Sequence, residues 1–437
     1  MLFTRNVSIA SSVAPILLLV ACSAAPDSGT GGSGAGASGQ GGAGGAGTTT
    51  VVTTGQGGGF NVGGGTGEGG GITCTPGGPD DDIDQDGFTP NQGDCEDCDP
   101  NRNPNAIEVA TDMGQTPFDE DCDGEIDEPE DPPCDAGIAI DEMDPLQAAT
   151  AIDLCKVSAG PDDWGVVSAK WVLADGTDPV GLTASQLQGF HLGHGFLPQF
   201  GANVDVRRGE RMLVVSSGAA RQPSDPGYQS TGNFDKGYTS GHSQGFPKES
   251  PACPGSITGQ PHDSTGVELT VRTPSNATGF SFDFDFFTYE WPGFVCSTYN
   301  DFFVAILDPI PMGQTDGNIS FDSAGNPISV NNALLEVCGC PGNPPNPCTA
   351  GGKIFNCSLG NIELIQTGFG FDTEFGQDHG ATSWLRTQAP VEGGTEMKLR
   401  LATYDSGDGV LNSTTLVDNF KWIAKPGVMV GTDPVPQ

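Results

Sequence analysis

Between Asp80 and Asp144 the chain carries 24 acidic residues against one base, Arg102, and that imbalance governs what the segment can become. A stretch so acidic has too few apolar side chains to offset the entropy of ordering it. Its own repulsion keeps it open unless cross-links or cations intervene. Both means are written into it. Cys74, Cys95, Cys98, Cys122 and Cys134 lie in or beside the segment, and two aspartate-rich loops lie among them. The first has Asp82, Asp84 and Asp86 before Gly87, with Asp94 downstream. The second has Asp119, Asp121 and Asp123 before Gly124, with Asp127 and Glu130 downstream. Oxygen ligands at positions 1, 3 and 5, with glycine at 6 for the sharp turn, are the spacing of a calcium loop. The second loop matches that spacing through to Glu130, with the Glu125 carbonyl as a backbone ligand. Pro129 and a disulfide-bonded Cys122 argue against the flanking helices of an EF-hand. Calcium suits these hard oxygens; magnesium demands a stricter octahedron, and copper or zinc would want nitrogen or sulfur. The alternative is a solvated acidic linker.

The amino terminus carries an export signal. Arg5 precedes an apolar run, Val13 to Val20, too short to stay in a bilayer as a spanning helix. The run ends in Leu19-Val20-Ala21-Cys22, the box read by lipoprotein signal peptidase, so residues 1–21 are expected to be removed and Cys22 lipidated. Acyl chains on Cys22 anchor the protein at about 0.8 kcal/mol per buried methylene. Ser23 after the cysteine points to the outer membrane. Of 13 cysteines, the lipidated one leaves 12, an even number suited to disulfides in an oxidising compartment. A net charge of −39 argues against nucleic acid as a partner and towards cations.

Residues 22–72 are nearly all Gly, Ser, Ala and Thr, with no apolar period to bury, so a disordered tether is expected there. Residues 73–134 form the Asp/Cys-rich segment, 135–424 a large domain, and 425–437 a tail. Asp144 to Cys155 reads as one short helix, with Asp144 as N-cap and Pro145 in first position. Strand signals follow. Phe280, Phe282, Phe284 and Phe286 alternate with Ser281, Asp283 and Asp285, the period of a half-buried strand. Met397, Leu399 and Leu401 alternate likewise. Residues 211–216, 267–272, 301–307 and 415–423 are further strand candidates. The fold expected is mainly β, an antiparallel, jelly-roll-like β-sandwich. Cys338-Gly-Cys340 cannot easily bridge to itself, and the odd count of five in the acidic segment leaves one cysteine to pair outside it, with Cys155 as a candidate.

Two resemblances add to this reading. Asp86-Gly-Phe, Asp94-Cys95-Glu-Asp97-Cys98-Asp99-Pro, Asn105-Ala-Ile-Glu108 and Asp119-Glu-Asp-Cys-Asp-Gly-Glu-Ile-Asp-Glu128 resemble, in order, the metal-binding motif of the MopE-type family. Cys98 and Pro104-Asn-Ala are departures from it. That family has a copper-binding member, but here no His and only Met113 lie between Asp80 and Glu130, so calcium remains the expected cation. The segment is also similar to thrombospondin type 3 repeats, in which aspartates wrap calcium and disulfides replace a core.

Phe280-Ser-Phe-Asp-Phe-Asp-Phe-Phe-Thr-Tyr-Glu290, Tyr299-Asn300-Asp301-Phe302-Phe303, His379-Gly-Ala-Thr-Ser-Trp384 and Tyr404-Asp-Ser-Gly-Asp-Gly-Val-Leu-Asn-Ser413 resemble the choice-of-anchor L pattern. Thr288, Tyr289, Trp291 and Gly293 depart from it. The resemblance implies a surface-anchored β domain and supplies no reaction.

Among the acids of the large domain, Glu290, Asp301, Asp405 and Asp408 are candidates for a ligand site or a further calcium site, the alternative being turn-stabilising side chains. His191-Leu-Gly-His194 has no glutamate beside it, and no G-x-S-x-G elbow occurs. The function expected is a surface lipoprotein with calcium-stabilised loops, in adhesion or in binding a glycan or surface protein. A secreted hydrolase of extracellular polymer is the alternative, and no catalytic residue is legible for it.

Overall fold

The structure is a computed structural model that describes residues 74–128, 131–332, 334–339, 348–372, 376 and 378–436. The expected signal peptide, Cys22, the tether and Glu130 lie outside these residues. The described chain belongs to one compact unit, in which the acidic segment and the β domain are in contact.

Two antiparallel sheets form the sandwich. One runs in the order β1 (Gly165–Val172), β6 (Pro261–Arg272), β14 (Glu396–Ser406) and β8 (Phe302–Asp308). The other runs β16 (Gly431–Pro434), β13 (Leu385–Pro390), β7 (Gly279–Thr288), β15 (Ser413–Ile423), β5 (Met212–Ser216) and β2 (His194–Leu197). Short β9 (Val337–Cys338) and β12 (Gly380–Ala381) extend the second sheet beside β7. The pairs β3 (Gln199–Phe200) with β4 (Val204–Asp205), and β10 (Cys348–Ala350) with β11 (Lys353–Phe355), stand apart. The strands expected at residues 211–216, 267–272, 280–286, 301–307, 397–401 and 415–423 all form, several of them longer than their apolar pattern. β16 lies beyond the expected domain boundary at Ala424 and pairs with β13.

The period of two in β7 has the expected consequence on one face. Phe280, Phe282, Phe284 and Phe286 point into a core shared with Leu399 and Leu401 of β14 and Phe303 of β8. The Phe284 and Phe303 rings sit 4.8 Å apart across the sandwich, and Phe280 stacks on Phe420 at 5.2 Å. The other face corrects the expectation of a half-buried strand, because all ten residues of β7 are buried. Asp283 is matched there by Arg386, whose Nε and Nη2 donate to it at 2.7 and 3.0 Å, by Arg207 at 3.3 Å and by the Asn419 amide at 2.9 Å. A buried carboxylate is tolerable only when so paired.

The expected helix is shorter than read, α1 (Leu146–Thr150), with the Asp144 carboxylate accepting from the Leu146 amide. A second helix, α2 (Ala184–Leu192), was not expected. Its start is a capping box: Thr183 Oγ1 accepts from the Gln186 amide, and Gln186 Oε1 accepts from the Thr183 amide.

Among its described residues, the acidic segment has no helix or strand beyond one 3-10 turn at Pro90–Gln92. Cys74–Cys98 and Cys95–Cys122 tie its loops together, and Cys134–Cys155 fastens its end beside α1. The odd count required one cysteine of the segment to pair outside it, and the partner is the expected candidate, Cys155. Cys253–Cys296 and Cys338–Cys357 lie in the large domain, and Cys348 is also disulfide-bonded. Thiol alkylation of the unfolded, unreduced protein, read by intact mass, should therefore label none of these eleven cysteines. Labelling of more than one disulfide's worth would contradict the oxidised state.

The segment docks on the turn between β6 and β7. Asn276 pairs twice with the Ile107 backbone, at 3.0 and 2.8 Å, and Ser275 donates through Oγ to Asn103 Oδ1 at 2.8 Å. Asn105 Nδ2 reaches the Asp162 carbonyl at 2.6 Å.

Candidate metal centre

The two aspartate loops are built closely alike. In the first, Asp82 accepts from the amides of Gln85 and Gly87, Asp84 from Asp86, and Asp86 from Phe88. In the second, Asp119 accepts from Asp123 and Gly124, Asp121 from Asp123, and Asp123 from Glu125. Gln85 and Cys122 take matching left-handed backbone angles, φ 66° and 60°, and the following turn glycines, Gly87 and Gly124, have φ 98° and 96°. The Asx-type bonds wind each loop so that its three carboxylates converge. In each triad one oxygen per residue lies within 4.8 Å of the other two. Ligands on one calcium, at roughly 2.3–2.6 Å from the ion, stand about that far apart.

In and beside the first loop, several buried oxygens are left without a hydrogen-bond donor. Asp84 Oδ2, Asp86 Oδ2 and Asp94 Oδ2 are buried and meet no hydrogen-bond donor, and Asp94 is only 6% exposed. Its other oxygen is used, accepting from the Glu96 amide at 2.8 Å. Burial, opposed by the Phe88 amide and joined by the charge of Asp84, pushes Asp86 up to about 6. Burial and neighbouring aspartates raise Asp84 and Asp94 as well. Carboxylates so placed either hold protons or hold a cation. Asp97 differs, because its two oxygens accept from the Gly77 and Ile83 amides and brace the loop.

The second loop departs from the expected ligand set. Glu130 lies outside the described residues. Asp127 turns to Thr111, accepting from its amide at 2.7 Å and its hydroxyl at 3.0 Å, and is not gathered with the triad. Glu108 and Glu128 converge on Asp121 instead, forming a second cluster that shares that aspartate. Glu108 also accepts from the amides of Glu120, Asp121 and Asp127, so it holds the loop as well as facing it. Burial raises Asp121 and Glu128, each with nearby acids adding to the shift. Glu108 stood in the quoted motif and Glu128 beside Asp127. What hid Glu108 was that a ligand from outside the loop has no fixed spacing. The one base of the segment does not neutralise either loop: Arg102 lies 3.2 Å from Asp99 and packs on the Phe118 ring at 3.5 Å.

A third gathering of acids lies inside the sandwich. Glu290, after β7, Asp301, before β8, and Asp405, at the end of β14, are each at most 1% exposed. Burial and the nearby charges of Asp405 and Asp408 push Glu290 up to about 10. Burial holds Asp301 and Asp405 well above the carboxylate range, joined by the charge of Glu290 at Asp301 and of Asp301 at Asp405. Asp408 is only partly buried and accepts from the Val410 amide at 3.3 Å, a turn-stabilising role. Lys236, missed in the sequence, is buried nearby, with Nζ donating to Ser216 O, Asp263 O and Thr265 Oγ1 at 2.8–2.9 Å.

Two other groupings are structural. His191 and His194 meet at 3.2 Å, but His194 is fully buried and stacks on Trp171 at 3.8 Å, as a core residue does. Cys338, Cys348 and Cys357 cluster because they are disulfide-bonded.

The acidic clusters thus have the chemistry and spacing to hold metal ions. No family model matches the chain, and no curated protein matches it.

Proposed function

We propose that this protein is an exported, lipid-anchored surface protein whose acidic segment binds calcium and whose β-sandwich binds an extracellular ligand, a glycan or a surface protein. The observation that carries the calcium reading is the first loop. Asp82, Asp84 and Asp86 bring their carboxylates within ligand distance of one another, and buried oxygens of Asp84 and Asp86 there have no donor. Oxygen-only ligands on a flexible, irregular loop favour calcium over magnesium, copper and zinc.

Export is supported by the lipobox ending at Cys22 and by the disulfide-bonded cysteines, which suit an oxidising compartment. The tether of residues 22–72 would hold the sandwich clear of the membrane, where adhesion or capture takes place. Hydrolysis of extracellular polymer is less well supported, since Glu290, Asp301 and Asp405 are buried away from any polymer chain.

Cys22→Ser should abolish acylation and move the protein from the membrane fraction to the soluble one. A mutant that stays with the membrane, beside a wild type carrying no acyl mass, would refute the anchor. For the ligand, a glycan array run beside a hydrolysis screen on the same purified protein separates the two activities. Saturable binding without turnover is the expected result, and product release from any polymer would overturn it.

A further inference from the structure

We propose that one proton, shared between Asp301 and Asp405, latches one end of the sandwich, holding it closed in acidic and neutral surroundings and releasing it in alkaline ones. The two residues are neighbours across a ladder. Tyr404 of β14 pairs with Phe302 of β8, so Asp405 and Asp301 lie opposite each other just past that pair. Their carboxyl groups are in hydrogen-bond contact. Two ionised carboxylates only accept, so such a bond requires a proton on one of them. The oxygens of this pair and of Glu290 do not converge to metal-ligand distance as those of the acidic loops do, which corrects the expectation of a further calcium site there.

The remaining neighbours decide which residue carries the proton. Asp301 already has donors, Ser413 Oγ at 2.7 Å and the Ser406 amide at 3.3 Å, which favour the ionised form. Asp405 has no such support: neither of its oxygens meets a donor of normal geometry, although the Ser217 hydroxyl lies beside it. Asp405 therefore holds the proton and donates it to Asp301. Ser413 is the first residue of β15, in the facing sheet, so the chain Asp405–Asp301–Ser413 runs from one sheet to the other.

No other group takes the place of that proton. Asp301 is 1% exposed and Asp405 is fully buried, so water does not reach the pair. Around it stand Glu290 from the end of β7, Asp408 after β14, Tyr404 on β14, His262 and Asp263 on β6, and Lys236 and Tyr238 from the segment before β6. Lys236 does not neutralise the pair, because its three Nζ protons go to Ser216 O, Asp263 O and Thr265 Oγ1. Burial and like charge hold both aspartates well above the carboxylate range in the fold, whereas unfolded aspartates titrate near about 4. Between those two limits the folded chain binds one proton more than the unfolded one. The latch is thus fully effective at the acid end of that window, and each pH unit upward multiplies the unfolding constant about tenfold.

Asp405→Asn supplies permanently what the proton supplies, since its amide donates to Asp301 while its carbonyl stays beside Ser217. The test is urea unfolding of the full chain from pH 5 to pH 8, in excess calcium throughout so that the acidic loops contribute alike to both proteins. The ratio of wild-type to variant unfolding constants should rise about tenfold per pH unit, with the variant the more stable at the alkaline end. A ratio that does not change with pH would overturn the latch. Asp301→Asn replaces the same hydrogen from the other side and should flatten the profile likewise. Failure of both variants to fold would also overturn it, because an amide at either position keeps the bond.

Discussion

Chelating divalent cations should expose the Arg102–Asn103 bond to trypsin while the β-sandwich stays folded. Arg102 is the only basic residue between Asp80 and Asp144, so a trypsin cut inside the acidic segment has one place to fall. In the folded segment that bond is well guarded. Asn103 is completely buried, its amide donates to the Glu120 carbonyl at 2.9 Å, and its side chain holds Ser275 of the β domain. Arg102 itself is held by Asp99 and the Phe118 ring. Opening this region separates the first aspartate loop from the second.

Calcium opposes that opening by linkage, RT ln(1 + [L]/Kd). Extracellular calcium modules bind with Kd of roughly 10⁻⁴ to 10⁻³ M. At a hundredfold excess over Kd, each filled loop adds about 2.7 kcal/mol, so emptying one loop raises the open fraction about a hundredfold. Cleavage that samples the open state rises in proportion. The fragments stay linked by Cys95–Cys122, so the cut is read on a reducing gel. Asp84→Ala and Asp123→Ala should each reproduce part of the effect in calcium, the first through the loop with the orphaned oxygens. Equal cleavage rates in calcium and in chelator would reduce the segment to a disulfide-held spacer.

Phe284→Ala should cost the sandwich about 3–5 kcal/mol, the usual range for removing a large aromatic from a packed core. The ring is fully buried at the middle of β7, where Phe284 pairs with Val417 of β15 on one side and Leu385 of β13 on the other. It faces Phe303 across the sandwich at 4.8 Å and Phe282 along the strand at 6.1 Å. These neighbours are held by two sheets and cannot collapse into the space, so both the transfer and the cavity contributions apply. Urea unfolding followed by tryptophan fluorescence, with disulfides intact, measures the loss. Phe284→Leu, which keeps part of the volume, should fall well short of the alanine variant. A loss under about 1 kcal/mol for alanine would mean the core is far looser than its ring contacts imply.

Much of the site was legible because its signals are local. Three carboxylates at alternate positions before a glycine set both their own turn and their own convergence, so Asp82, Asp84, Asp86, Asp119, Asp121 and Asp123 fall where the spacing put them. Asp94, expected as a fourth ligand, is not gathered with that triad, although one of its oxygens is buried without a donor. The error at the second loop has the same origin. Asp127 has the right distance along the chain but the wrong direction in space, because Thr111 offers it two donors. Glu108 reaches the loop from outside it, and no spacing rule announces such a residue. Helix α2 was missed for a different reason. Its capping box was present as Thr183 and Gln186, but the segment between them and Leu192 has only a weak apolar stripe.

What the sequence by itself determined is whatever depends on neighbours along the chain. The period of two through Phe280, Phe282, Phe284 and Phe286 sets a strand and the face that meets the core, because alternate side chains of an extended chain must point opposite ways. The acid excess and the parity of the cysteines likewise set how the first segment can be held, and that one of its cysteines pairs outside it; the fold decided that the partner is Cys155. Only the tertiary structure decided the fate of the opposite face. Asp283 was expected at a solvated surface, yet Arg207 and Arg386, 76 and 103 residues away, come over the sheet to bury and neutralise it. Glu290, Asp301 and Asp405 show the same limit: they lie at the ends of three strands from two sheets, and only the closing of the sandwich makes them neighbours. The physical reason is that backbone geometry repeats every few residues and leaves a period, whereas a contact between distant strands depends on how sheets pack and leaves none.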